Sequence, residues 1–134
     1  MTNSRAKGAR GERALANYLK EHGYDARRGQ QYSGANGDAD VVGLPGIHIE
    51  CKWVEKVTPS MMADYMKQSM NDANYNETPV VIHKQNRRGW KVTMNAGDLV
   101  QMVSRDTRIW GSTIKVTLDL DDFLTIYEEW ANDK

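Results

Sequence analysis

The chain has 134 residues, 40% apolar and 27% charged, and its eighteen basic and eighteen acidic side chains cancel to a net charge of zero. That length and balance fit one ordinary globular domain. The absence of a long apolar run and the polar opening MTNSRAKGARGERA argue against a membrane span or a secretory leader. A lone cysteine, Cys51, leaves no internal disulfide, which points to a reducing cytoplasm, and no Cys/His spacing suggests a zinc finger. The charge is unevenly spread. Residues 1–30 carry seven basic and three acidic side chains, a net of +4, whereas the last eighteen residues carry a net of −5. A basic face with an acidic back suits a polyanion partner, although two solvated faces would give the same pattern.

In chain order, the first element is a helix over Lys7–Gly23. Ala14, Leu15, Tyr18 and Leu19 form its apolar stripe, Glu12 edges that stripe, and Gly23 is a suitable stop. A weak strand is expected over Tyr24–Gln30, then a polar, Gly-rich loop, QYSGANGD. Two short β-type runs follow around LPG, Asp40–Gly43 and Ile47–Val54. Thr58-Pro59 then opens a second helix, a cap residue followed by proline in the first turn. Its inner stripe is expected to be Met62, Tyr65, Met66, Ser69, Met70 and Ala73, with the methionines filling core.

Strands are expected at PVVIHK (79–84), WKVTM (90–94) and TIKVTL (113–118). A short helix should start near Asn95 and run to about Arg105, and a last amphipathic helix should cover Asp121–Ala131. The order α-β-β-β-α-β-β-α-β-α gives a mixed α/β domain with a central sheet and flanking helices, undivided over residues 1–134.

The run GDADVVGLPGIHIECKWVE places acids and a lysine among strand residues. On Ile47–Val54, Ile47, Ile49, Cys51 and Trp53 point one way and His48, Glu50, Lys52 and Val54 the other. A two-residue loop would set Asp40 opposite Cys51. A three-residue loop, Leu44 to Gly46, sets it opposite Glu50 and Val41 opposite Ile49. The second register gathers the polar residues on one face and is preferred, with a bulge at the proline as a variant. Facing carboxylates repel if both ionise, and a magnesium ion would remove that conflict. A neighbouring lysine could then orient a water or stabilise charge at phosphorus. Asp40, Glu50 and Lys52 therefore read as a metal-assisted phosphodiester hydrolysis site, against the plainer reading of one Glu–Lys pair on an exposed strand.

Asp40 followed by Glu50-Cys51-Lys52 resembles the signature of PD-(D/E)xK nucleases. The wider pattern resembles archaeal-type and phage Holliday junction resolvases: Lys7-Gly8-Ala9-Arg10-Gly11-Glu12, then Ser33-Gly34 before the acid. The resemblance covers about residues 5–90. Ala39 stands where the motif has proline, and Asp38 is a rival acid of the same parity, but Asp40 abuts the Val-Val run. The resemblance implies a restriction-endonuclease-like fold. It also implies one or two Mg2+ or Mn2+ ions held by Glu12, Asp40, Glu50 and the Cys51 carbonyl, with Lys52 handling the attacking water and scissile phosphate. A homodimer cutting branched DNA symmetrically is implied as well.

On that reading Arg5, Lys7, Arg10, Arg27, Arg28, Ser33, Lys84 and Arg87 are DNA-binding candidates, and Gln68 could orient water near the metal. Arg13 is evenly balanced between contact and solvation, and Arg88 with Arg87 could be only a polar turn. His83 is expected to be a satisfied edge histidine, and His48 is set aside as too far along its strand. Trp53, Trp90, Trp110 and Trp130 are expected in the core or at a dimer contact. Two other functions compete with the junction nuclease: a nicking, repair or restriction-like nuclease on ordinary duplex, and a DNA-binding scaffold without chemistry.

Overall fold

The computed structural model describes residues 4–29, 39–104 and 114–133. Its elements are α1 (Ser4–Glu21), β1 (Arg27–Arg28), β2 (Val41–Val42), β3 (Ile47–Val54), α2 (Pro59–Asp72), β4 (Thr78–Gln85), β5 (Lys91–Asn95), α3 (Ala96–Ser104), β6 (Lys115–Asp119) and α4 (Leu120–Asn132). This is the order expected from the sequence. The loop carrying Ser33, Gly34 and Asp38 lies outside the described residues, as do Arg105, Trp110 and Thr113.

Helix α1 ends as its glycine suggests. Gly23 sits at φ +93°, its N–H donates to Lys20 O at 3.0 Å, and Tyr24 N–H reaches back to Leu19 O at 3.0 Å. That paired closure satisfies carbonyls the helix itself leaves open. The expected strand after it shrinks to Arg27–Arg28, because β2 offers only Val41 and Val42 as partners. Thr58 caps α2, accepting the Met61 N–H on Oγ1 at 3.2 Å, with Pro59 in the first turn. Met66 and Ser69 of α2 are fully buried, but Met70 is 43% exposed, so the expected stripe is one residue too wide. The expected strand WKVTM also shifts: Trp90 precedes β5, buried, and its carbonyl accepts the Leu120 N–H at 3.1 Å.

The six strands form one sheet in sequence order, and the fold class is α/β. Every neighbour pair is antiparallel except β3 and β4, which run parallel from Ile47↔Thr78 to Val54↔Gln85. A parallel pair needs a long return, and α2 supplies it. Helix α1 packs on β1 to β3, α2 on β3 and β4, and α4 on β5 and β6. Leu15 and Leu19 of α1 share the main core with Ile49, Ile82, Met94 and Phe123. Each such side chain contributes about 1.5–3 kcal/mol through burial.

The β2–β3 hairpin adopts the three-residue register. Val41 pairs with Ile49, and Ile47 N–H donates to Leu44 O at 3.0 Å across Pro45 and Gly46, the latter at φ +89°. This is a type II turn nested in the loop, with proline and glycine each at the position that suits it. Gly43, at φ +146°, lies so close to Ala26 that an added Cβ would stand 2.7 Å from Ala26 Cα. The hairpin is thereby pressed against the segment leaving α1.

Candidate active site

The ladder between β2 and β3 stops at Val41, and Asp40 turns out of it. Its N–H donates to Ile49 O at 3.0 Å, and its Oδ2 accepts the Cys51 N–H at 2.9 Å. The carboxylate thus takes the place of the next strand residue. A strand residue sends its N–H and C=O to the same edge, so the Cys51 carbonyl also faces the edge that Asp40 occupies.

Glu50 is 3% exposed, and Lys52 Nζ lies 3.4 Å from its Oε2. Burial is the main cause that pushes the Glu50 carboxyl up to about 8. The charge of Asp40 raises it further, as does a hydrogen bond between the two carboxyl groups, while Lys52 opposes the rise. The two acids therefore meet, as the register requires. Helix α2 steadies the lysine by placing the Tyr65 ring centroid 4.9 Å from its ammonium.

Glu12 approaches Asp40 and Lys52 from α1. Burial raises its carboxyl above the usual range, and the charge of Asp40 adds to that; Arg28 and Lys52 pull the other way. Arg28 Nε and Nη2 both donate to Glu12 Oε1, at 3.1 and 3.0 Å. The buried Cys51 thiol registers all three acids: burial raises it most, followed by the charges of Asp40, Glu12 and Glu50. Three carboxylates and one ammonium therefore surround a single stretch of β3. The carboxylates and the Cys51 carbonyl, without the ammonium, are hard oxygen donors of the kind that suits Mg2+ or Mn2+.

The DNA-binding candidates separate into groups. Arg28 is engaged by Glu12, and Arg27 Nη1 donates to the Arg28 carbonyl at 3.1 Å. The Arg10 guanidinium lies 5.7 Å from the Trp53 ring centroid, and Lys84 Nζ lies 4.8 Å from Trp53 and 5.8 Å from Trp90. Trp53 pairs with Lys84 across β3 and β4, one residue out of phase with Glu50 and Lys52, so Lys84 lies on the α1 side of the sheet. Arg87 projects from an exposed turn at φ +67°, beside an exposed Arg88. Exposed Gln68 stands three residues after Tyr65 and four before Asp72, on a helical row leading along the site. Arg13 is exposed. Arg5 and Lys7 belong to the first two turns of α1, and their side chains, like Ser33, lie outside the described residues.

His83 is a satisfied core histidine. It is 7% exposed, its Nε2 lies 2.8 Å from Thr93 Oγ1, and burial is the main cause that lowers it to about 4. His48, set aside in the sequence as too far along its strand, is buried near Glu50. Ligand atoms of His48, Glu50 and Asp72 all lie within 4.8 Å of one another. The parity that placed His48 beside Glu50 was visible in the sequence. Asp72 was not, because it comes from the far end of α2.

No curated protein matches the chain. Among solved structures, Archaeoglobus fulgidus Hjc, a Holliday junction resolvase from an archaeal hyperthermophile, is similar at 20% identity. The match covers 90% of this chain and 91% of that one, with a TM-score of 0.44. A family model described as "Phage putative PDDEXK endonuclease" matches residues 3–132, nearly the whole sequence. The chain belongs to this family of phage PDDEXK endonucleases.

Proposed function

We propose that this protein is a divalent-metal-dependent endonuclease that hydrolyses phosphodiester bonds in branched DNA such as four-way junctions, acting as a symmetric homodimer. The observation that carries the reading is the meeting of Asp40 and Glu50 beside the Cys51 backbone, with Lys52 two residues along on the same face. A bound Mg2+ or Mn2+ would neutralise the carboxylates and lower the pKa of a coordinated water.

The chain's own residues do the rest. Asp40 is held by Cys51 N–H, which fixes the direction of its carboxylate. Lys52 carries a positive charge to the position where negative charge grows on the phosphate. Arg28 orients Glu12, which completes the acidic set from the opposite element. Arg10, Lys84 and Arg87 supply cations for the flanking backbone, with Arg5, Lys7, Arg27 and Ser33 as further candidates and Gln68 along the rim. The preference for junctions and the dimer rest on the pattern Lys7-Gly8 to Glu12 and Ser33-Gly34. The lone, buried Cys51 suits a reducing cytoplasm. Among the described residues, no helix is long and apolar enough to cross a membrane.

The test is a labelled four-way junction and a linear duplex of the same sequence, each incubated with and without Mg2+. Paired, symmetric cuts in the junction are expected, with the duplex left largely intact. Asp40→Asn should lose cleavage and keep junction binding in Ca2+. Equal cutting of both substrates would replace the junction reading with that of a duplex nuclease. Binding without any cleavage would leave a DNA-binding scaffold.

A further inference from the structure

His48, Glu50 and Asp72 form a second side-chain cluster, with His48 two residues before Glu50 on the same face of β3. His48 is 4% exposed and Glu50 3%, whereas Asp72, in the last turn of α2, is exposed. Around the buried imidazole stand carboxylates: besides Glu50 and Asp72, Glu77 Oε1 lies 3.6 Å from Nδ1, beyond hydrogen-bonding length. His48, Asp72 and Glu77 also line a cleft of about 600 Å³ beside the hairpin tip, which gives an ion a route in. The backbone here is fixed. Ser69 Oγ donates to Val80 O at 2.9 Å and lies 3.5 Å from His48 O, tying α2 to both central strands.

From this geometry we infer a second cation site, formed by His48, Glu50 and Asp72 with Glu77 beside the imidazole, for a borderline divalent transition ion such as Zn2+. One imidazole nitrogen with two carboxylates favours zinc over magnesium, which prefers oxygen donors alone. The ligand atoms lie within 4.8 Å of one another, and Asp72 is exposed at a helix end. A carboxylate that accepts from a ligating histidine's other nitrogen fixes the ring's tautomer, and Glu77, 3.6 Å from Nδ1, is the group placed nearest for that role. The site shares Glu50 with the proposed nuclease centre but does not depend on that centre being active.

The experiment is calorimetric titration of metal-free protein with Zn2+ alone. The proteins compared are the wild type, His48→Gln, Asp72→Asn and Asp40→Asn, with circular dichroism to confirm folding. The expected result is one zinc bound in the wild type. Asp40→Asn should retain that zinc, while His48→Gln and Asp72→Asn weaken it by about tenfold or more. Cobalt in place of zinc should show an imidazole-dependent visible spectrum that His48→Gln removes. Asp72 is exposed, so its variant carries the test if His48→Gln fails to fold. Unchanged affinity in Asp72→Asn, or loss in Asp40→Asn equal to that in His48→Gln, would overturn the proposal. Zinc binding in a protein that never cleaves DNA would sink the nuclease reading and leave this one standing.

Discussion

The His83–Thr93 pair of β4 and β5 and the Asp40–Glu50 pair at β2 and β3 treat buried polar groups in opposite ways. In β4–β6, His83 meets Thr93, and Thr93 meets Thr117 at 2.7 Å, a neutral relay in which each group has a partner. In β2–β3, Glu50 is buried beside Asp40 and pushed up to about 8, with Glu12 close enough to feel the same charge. The first arrangement is what folding alone requires. The second keeps an electrostatic conflict that a bound cation would relieve. Buried polarity by itself therefore says little about function; buried like charge says much more.

That contrast can be broken or sharpened by substitution. The largest expected effect is on cleavage: Asp40→Asn, Glu50→Gln or Lys52→Ala should each lower the Mg2+-dependent rate by about a thousandfold or more in single-turnover assays. His83→Gln should cost about 1–2 kcal/mol of stability yet leave the cleavage rate within about threefold. If His83→Gln abolished cleavage with the fold intact, the division between the two pairs would fail.

Next is a pH effect on stability. Glu50 titrates near 4.5 when unfolded and about 8 when folded, so between those values the native state holds a proton that the unfolded chain has lost. Raising pH through that window removes stability, and above about 8 the loss is complete. In metal-free protein the total should be on the order of 5 kcal/mol, roughly 15–20 °C in Tm. Glu50→Gln should flatten the profile, and millimolar Mg2+ or Mn2+ should raise Tm most at pH 8. A wild-type profile that rises from pH 5 to 8 would contradict the burial of a protonated Glu50.

Gly43→Ala tests the support rather than the chemistry. The new Cβ would meet Ala26 at 2.7 Å in a backbone region that disfavours it. A loss of about 2–4 kcal/mol is expected by chemical denaturation, with a parallel fall in cleavage as the hairpin moves. Smallest are the effects at Arg10 and Lys84. Alanine at either should weaken DNA binding by about three- to tenfold and reduce the salt slope by about 1.

Much of this was legible in the sequence because it is local. Strand parity put Glu50 and Lys52 on one face, the Leu44–Gly46 loop fixed Asp40 next to Glu50, and Thr58-Pro59 marked the start of α2. What was hidden depends on how helices dock. Nothing in the spacing joins Arg28 to Glu12, brings Tyr65 over Lys52 or carries Asp72 to His48. The side of the sheet that Lys84 takes follows from the parallel pairing of β3 with β4, which periodicity alone does not reveal. The turn of Asp40 onto Cys51 N–H is likewise a product of a ladder that ends one residue early.

Crystals soaked in Mn2+ and measured for anomalous scattering test the central claim most directly. A peak bonded to Asp40, Glu50 and the Cys51 carbonyl, absent in Asp40→Asn, is the predicted result. A map with no ion between those groups, at a manganese concentration that supports DNA binding, would contradict the account.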